Sequence, residues 1–227
     1  MQRLITSTIL GAVAAVAAVA AVAFTATSAT GATGATSSTS AAVAAPSVGQ
    51  PAPAFSIKDT SGKAVSLADF KGKHVVLEWV NPGCPFVQKH YNSANMQGTQ
   101  GEAAGKGVVW LAISSTAPEF SDYKKPGDLA GWMQGHKAAA SATLMDDDGK
   151  VGKAYGARTT PHMYVVDPAG KLVYAGAIDS KSTANPADIA SSTNYVKQAL
   201  NEVLAGKPVS TPSTRPYGCS VKYAPGA

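Results

Sequence analysis

The stretch HVVLEWVNPGCPFVQKH, residues 74–90, constrains the fold more than any other part of this chain. His74 to Val80 is a run of strand length, mostly apolar and closed by Asn-Pro-Gly, and such a run reads as a buried strand. Pro85 stands where a helix begins. Proline has no amide hydrogen to leave unpaired at the first helical position, and its backbone angle already suits the helix. The pattern predicts a helix from Pro85 to about Met96 and a second apolar strand from Val108 to Ser114. Strand, helix and strand in succession form a β-α-β unit, with two parallel strands and the helix laid across one face.

The alternation continues on both sides of that unit. Ala54 to Lys58 reads as a strand followed by a turn at Thr60 to Gly62. Downstream come a helix from about Gly127 to Gly135, a strand at Ala142 to Met145 and a short helix at Lys150 to Tyr155. Met163 to Val166 and Leu172 to Ala177 are two strands joined by the turn Asp167 to Lys171, whose Pro168 and Gly170 suit a hairpin. Asn194 to Leu204 sets Val196, Ala199, Leu200 and Val203 at helical spacing, and Gly206 and Pro208 stop that helix. The expected fold is an α/β/α sandwich with a mixed central sheet over residues 46–208, followed by a C-terminal tail, 209–227, that carries Cys219.

Residues 1–45 are excluded from this fold. Arg3 gives a positive start, Leu4 to Phe24 is largely apolar, and small residues follow, which is the layout of a secretory signal. Sites ending at Ala26, Ala29 or Ala44 all satisfy the small-residue rule for cleavage. Any remainder of the Ala/Thr/Ser/Gly stretch 25–45 is a flexible linker. The chain is expected to act outside the cytoplasm, periplasmic or extracytoplasmic, with membrane contact only if the apolar segment is retained. The formal net charge of +5 is spread without basic runs or interleaved aromatics, which argues against a nucleic-acid partner.

The chain has two cysteines, Cys84 and Cys219, too few for a disulfide framework or a zinc ribbon. Cys84 falls between the buried strand and the proline-started helix. There the free amide groups and the helix dipole favour a thiolate, the form that attacks a peroxide or a disulfide. The competing reading is a buried inert cysteine or half of a structural disulfide, which exported proteins readily form.

The run VGQPAPAFSIKDTSGKAVSLADFKGKHVVLEWVNPGCPFV, residues 48–87, resembles the opening of a redoxin. The resemblance is to peroxiredoxin-like proteins of the thioredoxin-fold superfamily, related to alkyl hydroperoxide reductase and thiol-specific antioxidant. DDDGKVGKAYGARTTPHMYVVDPAGKLVYAGAI is similar to the second half of the same fold. RPYGCSVKY, residues 215–223, resembles the Gly-Cys-Ser tail of a subgroup whose active segment reads Cys-Asn-His-Cys-Pro-Tyr. The resemblance implies a thiol oxidoreductase in which Cys84 attacks and Cys219 resolves, acting outside the cytoplasm if the N-terminal segment is an export signal. Its substrate would be a protein disulfide or a peroxide, its partner a thioredoxin-like or low-molecular-weight thiol reductant, and it would need no cofactor. It also implies that Pro161 is cis and lies beside the active cysteine, with the backbone of Thr160 open to an extended substrate.

The chain departs from the resembled patterns at two places. Asn81 stands where a thioredoxin has its first cysteine, so no vicinal dithiol exists. A typical peroxiredoxin has Thr or Ser three residues before the cysteine and Pro seven before, where this chain has Asn81 and Leu77. Asn81 is retained as a candidate hydrogen-bonding group, and Pro85 as a residue bordering the substrate site. Arg158 is a candidate for holding positive charge near the sulfur, against the alternative of a surface arginine. Glu78 is a carboxylate in an apolar strand, where burial raises its pKa and suits proton transfer, against an edge position or a lysine pair. Trp79 and Phe86 are expected in the core, and His90 lies too far round its helix to pair with Cys84.

No metal is expected, since His74, His136 and His162 have no ligand spacing. GEAAGKG at 101–107 fails as a phosphate loop, and Asp146 to Asp148 fails as a calcium loop; both are expected to be turns. The alternative to catalysis is a redox-inert thioredoxin-fold binding module in which Cys84 and Cys219 form a permanent staple.

Overall fold

The structure, a computed structural model, describes residues 46–225; the expected signal segment lies outside them. The elements in chain order are β1 (Ser56–Asp59), β2 (Ala64–Ser66), β3 (Val75–Trp79), α1 (Pro85–Asn92), α2 (Asn95–Gly105), β4 (Val109–Ser114), α3 (Pro126–Gly135), β5 (Ala142–Met145), α4 (Lys150–Tyr155), β6 (Thr159–Thr160), β7 (His162–Val166), β8 (Leu172–Gly176), α5 (Tyr195–Leu204) and β9 (Cys219–Ser220). Seven strands form one sheet in the order β2-β1-β5-β4-β3-β7-β8. β3 runs parallel to β4, and β4 to β5, while β7 is antiparallel to both β3 and β8. This is the mixed sheet that the sequence predicts.

Strand alternation sorts the apolar residues into two layers. Val76 of β3 and Val80, just past its end, face a core shared with Val87 and Tyr91 of α1, Met96 of α2, Leu129 of α3 and Leu200 of α5. Val75, Leu77 and Trp79 face the opposite way, onto Phe55, Val151 and Tyr155. β3, buried along its whole length, lies inside the sheet that forms the middle layer of an α/β/α sandwich.

One predicted helix is corrected. The helix expected from Pro85 to about Met96 ends at Asn92, and α2 restarts at Asn95. Ser93 Oγ donates to the Lys89 carbonyl at 2.7 Å, and Ala94 takes a left-handed conformation, φ 59, which a right-handed helix cannot continue. α2 escapes sequence detection because two of the four side chains on its buried face, Thr99 and Gln100, are polar. The GEAAGKG segment is likewise corrected: its first five residues end α2, and only Lys106 and Gly107 turn.

Asp146, by contrast, does sit in the turn before α4. Its carboxylate accepts from Val151 N at 3.0 Å and Gly152 N at 2.8 Å, two amides the helix start leaves unpaired. It also accepts from Ser115 Oγ at 2.5 Å, and Ser115 in turn accepts from the Trp79 indole at 2.9 Å. A single buried carboxylate thus ties the end of β3, the end of β4 and the start of α4. Asp146→Ala is expected to cost about 1–3 kcal/mol in urea unfolding, because it orphans three buried donors; Asp146→Asn should recover part of that loss by keeping an acceptor oxygen.

Candidate active site

Cys84 is the residue immediately before α1, with Pro85 opening the helix as expected. It is 1% exposed, and its thiol donates to the Thr160 carbonyl at 3.0 Å. Sheet register produces this meeting. Trp79, the last residue of β3, pairs with His162, the first of β7, so the segment after β3 and the segment before β7 leave the sheet side by side. The peptide between Thr160 and Pro161 is cis, as the resemblance implies.

Cys219 reaches the same place from the C-terminal segment. β9 pairs with β6 antiparallel, Thr160 opposite Cys219 and Thr159 opposite Ser220. Thr160 therefore holds the Cys84 thiol through its carbonyl and Cys219 through strand pairing. Both cysteines are free thiols. Burial and the adjacent Cys84 sulfur push the Cys219 thiol up to about 12, so Cys219 keeps its proton at neutral pH. Cys219 is half-buried, whereas Cys84 is covered.

The segment carrying Cys219 is packed onto the domain at several points. Thr214 N donates to Ala175 O at 3.2 Å, and Val221 N donates to Arg158 O at 3.1 Å. Lys222 O accepts from Ala117 N at 2.8 Å, and Tyr223 Oη donates to Ala157 O at 2.7 Å. The Tyr217 ring lies edge-on to Phe86, 5.7 Å between centroids, and its hydroxyl donates to the buried Asp179 carboxylate. Lys89 Nζ meets that carboxylate at 3.1 Å, and His90 Nε2 lies 3.3 Å from the Tyr217 hydroxyl. Burial lowers His90 to about 4, so it is neutral. No local sequence signal marks Tyr217, Lys89, Asp179 or Gly218; two of them fall within the block RPYGCSVKY, whose pattern does not reveal their roles.

Asn81 is 3% exposed and its amide is fully engaged in holding the turn. Its oxygen accepts from Gly83 N at 2.8 Å, and its nitrogen donates to Asp122 at 2.7 Å and to Thr116 Oγ1 at 3.3 Å. Arg158 is exposed and lines a cavity with His162 and Tyr223; the burial of His162 itself, and secondly the Arg158 charge, hold His162 down at about 3. No hydrogen bond joins its side chain to either cysteine among the described residues. Trp79 is in the core as expected; Phe86 is half-buried, between the core and Tyr217.

Glu78 is buried completely, and three donors surround it: Tyr91 Oη at 2.9 Å, Trp110 Nε1 at 2.7 Å and Gln100 Nε2 at 3.1 Å. The edge and lysine-pair alternatives do not hold. Burial pushes the carboxyl up to about 7, and the three donors oppose that rise. The folded value lies above the unfolded one, so this group's contribution to stability is whole below about 4.5 and is lost as pH rises through about 7. Subtracting the unfolding free energy of Glu78→Gln from that of the wild type should give a difference that falls by a few kcal/mol across that window. A flat difference in urea unfolding between pH 4.5 and 8 would place the titration elsewhere.

Comparison with known proteins finds that the model of the AhpC/TSA family matches residues 48–175, more than half of the chain. The thiol-disulfide oxidoreductase ResA of Bacillus thuringiensis subsp. konkukian is 26% identical over 126 residues, covering 56% of this chain and 67% of that protein. The chloroplastic peroxiredoxin Q of Suaeda salsa is 32% identical over 138 residues, covering 58% of this chain and 61% of that protein. Among solved structures, a hypothetical protein from Sinorhizobium meliloti 1021 superposes with a TM-score of 0.69 at 26% identity, over 80% of this chain and 97% of its own.

Proposed function

The chain belongs to the AhpC/TSA family and is a thiol oxidoreductase in class, and from that premise we propose that it is a thiol-disulfide oxidoreductase with Cys84 as nucleophile and Cys219 as resolving thiol. The observation that carries this reading is the Thr160 peptide, which joins both cysteines. In the proposed cycle the Cys84 thiolate attacks a substrate disulfide. One S–S bond breaks, a mixed disulfide forms, and the first substrate sulfur leaves as a thiolate. Cys219 gives up its proton and attacks the Cys84 sulfur, expelling the second substrate thiolate and closing the Cys84–Cys219 disulfide. An external dithiol, thioredoxin-like, or two small thiols restore the pair and are themselves oxidised to a disulfide. The half-buried Cys219 sulfur is the one such a reductant reaches, with Cys84 as the leaving thiolate.

Disulfide exchange is favoured over peroxide reduction because of Asn81. A peroxidase aligns the O–O bond with hydrogen bonds beside the sulfur; the Asn81 amide already has three partners within the turn and is spent on it. Thr160 and Pro161 form the substrate edge, Pro85 borders it, and Glu78 supplies a buried proton-exchanging carboxyl beneath the same helix. Export is proposed on the layout of residues 1–45, and N-terminal sequencing of protein purified from its natural host should begin after Ala26, Ala29 or Ala44.

Stopped-flow measurements on the reduced protein test the chemistry. Cys84→Ser should abolish reduction of a protein mixed disulfide, and Cys219→Ser should stop the cycle at a trapped Cys84 adduct visible by mass spectrometry. Oxidation by hydrogen peroxide should run far below the roughly 10⁷ M⁻¹s⁻¹ that approaches diffusion. A rate near that figure makes the protein a dedicated peroxidase. Failure of the confirmed dithiol to react with either oxidant would favour the redox-inert module.

A further inference from the structure

The residues that bring Cys219 to the site also cover Cys84. β9 lies against the edge of β6, the two residues before Pro161, and uses the pairing positions an extended partner segment needs to present its own sulfur to Cys84. The fit is close. Gly218 adopts φ +133, and a Cβ built there would collide with the Thr160 carbonyl oxygen and lie 2.8 Å from its carbon. Only glycine lets the strand before the sulfur seat on this edge. The domain is shaped to receive the far end as well: a Cβ at Gly152 would fall 2.7 Å from the Tyr223 ring. Beside this C-terminal strap, a cavity of about 630 Å³ is lined by Arg215, Pro216 and Gly218 on one side and Ala177, Ser180 and Ser182 on the other; the Tyr217–Asp179 hydrogen bond crosses between the two sides and must break for the strap to lift.

Building on the assignment of Cys84 as nucleophile, we propose that β9 is a tethered occupant of a peptide-binding edge, and that the partner is an extended polypeptide whose cysteine follows a glycine. Such a segment replaces β9, pairs antiparallel with Thr159 and Thr160, and brings its disulfide sulfur to the point where the Cys219 sulfur now sits. The Cys84 thiolate then forms the mixed disulfide and the partner's other sulfur leaves as a thiolate. A residue larger than glycine before the partner cysteine meets the Thr160 carbonyl as a Cβ at Gly218 would. The Cys84–Cys219 disulfide ties β9 down, so the edge opens only in the reduced protein.

The test uses the full chain with Cys219→Ser, so that Cys84 is the sole thiol, and the same chain with Gly218→Ala added. The probe is a peptide of the chain's own residues 215–223, RPYGCSVKY, with its cysteine carried as a mixed disulfide with thionitrobenzoate, whose release is coloured. Cystamine serves as a small disulfide without a backbone. Gly218→Ala is expected to speed the peptide reaction by about tenfold, because the strap no longer competes. The peptide with alanine in place of its glycine should react about tenfold more slowly than RPYGCSVKY in the Gly218→Ala chain. Hydrogen exchange at the Val221 amide, bonded to Arg158 O, reports release of the strap independently of any chemistry, and near-UV circular dichroism checks the fold. Tyr223→Phe, which removes the bond to Ala157 O, provides a second way to loosen the strap should Gly218→Ala not fold. Equal peptide rates in chains that react with cystamine, or equal rates for the glycine and alanine peptides, overturn the proposal. Absence of reaction with cystamine in every chain overturns the nucleophile assignment instead, and Val221 protection then decides the strap alone: unchanged protection in the loosened chains refutes it.

Discussion

The Thr160 peptide is the joint on which the site depends. It lies just before β7, and the register of β7 on β3 places it beside the turn that ends in Cys84. Its carbonyl holds the Cys84 thiol, and its strand edge holds Cys219. A one-residue slip of β7 would turn its buried faces over and move this peptide away from α1. The alternating burial that makes the core therefore also fixes the site geometry: Met163 and Val165 on one face, Tyr164 and Val166 on the other, leave a single register that buries them all.

Two buried carboxylates, one on each face, reinforce that register. Glu78 collects donors from α1, α2 and β4, and Asp146 collects donors from α4 and from Ser115. Burying a carboxylate is costly unless its lone pairs are filled, and both are filled only when every element is in place. Lys89 and Asp179 play the same part at the strap, where Tyr217 completes them. These groups turn approximate hydrophobic complementarity into one arrangement, because misplacing any element strands a donor or a charge.

What could be read from the sequence divides along the same physical line. β3, β4, β5 and the β7–β8 hairpin were legible because apolar runs and turn residues are local signals, and the Pro85 helix start was legible because proline at that position has one meaning. α2 was hidden because Thr99 and Gln100 are buried for their hydrogen bonds rather than their apolar surface. The break at Ala94 carries no glycine or proline to announce it. Cys84, Pro161 and Glu78 were identifiable as candidates, but Asn81 and Arg158 could be judged only once their partners were seen. The C-terminal segment has the sequence of a tail because its contacts are nearly all to distant residues: Gly218 to Thr160, Tyr217 to Asp179, Tyr223 to Ala157. No local pattern encodes such pairings.

In the proposed cycle, with Asn81 in place of a first cysteine, the second thiol comes from the far end of the domain, and the proposal thereby ties redox state to strap docking. Closing a disulfide across a loop of more than a hundred residues stabilises the folded chain by about 4–5 kcal/mol in the chain-entropy picture. Linkage then works in both directions. Every contact that seats β9, from the Tyr217 hydroxyl to the bare backbone of Gly218, raises the effective concentration of Cys219 at Cys84 and favours the oxidised pair. In the proposed cycle the oxidised pair in turn holds β9 over the edge assigned to substrate. A vicinal dithiol on one helix would form its disulfide without covering anything. In this arrangement resolution and closure are the same event, so a strap held more tightly forms the disulfide faster and admits the next partner more slowly.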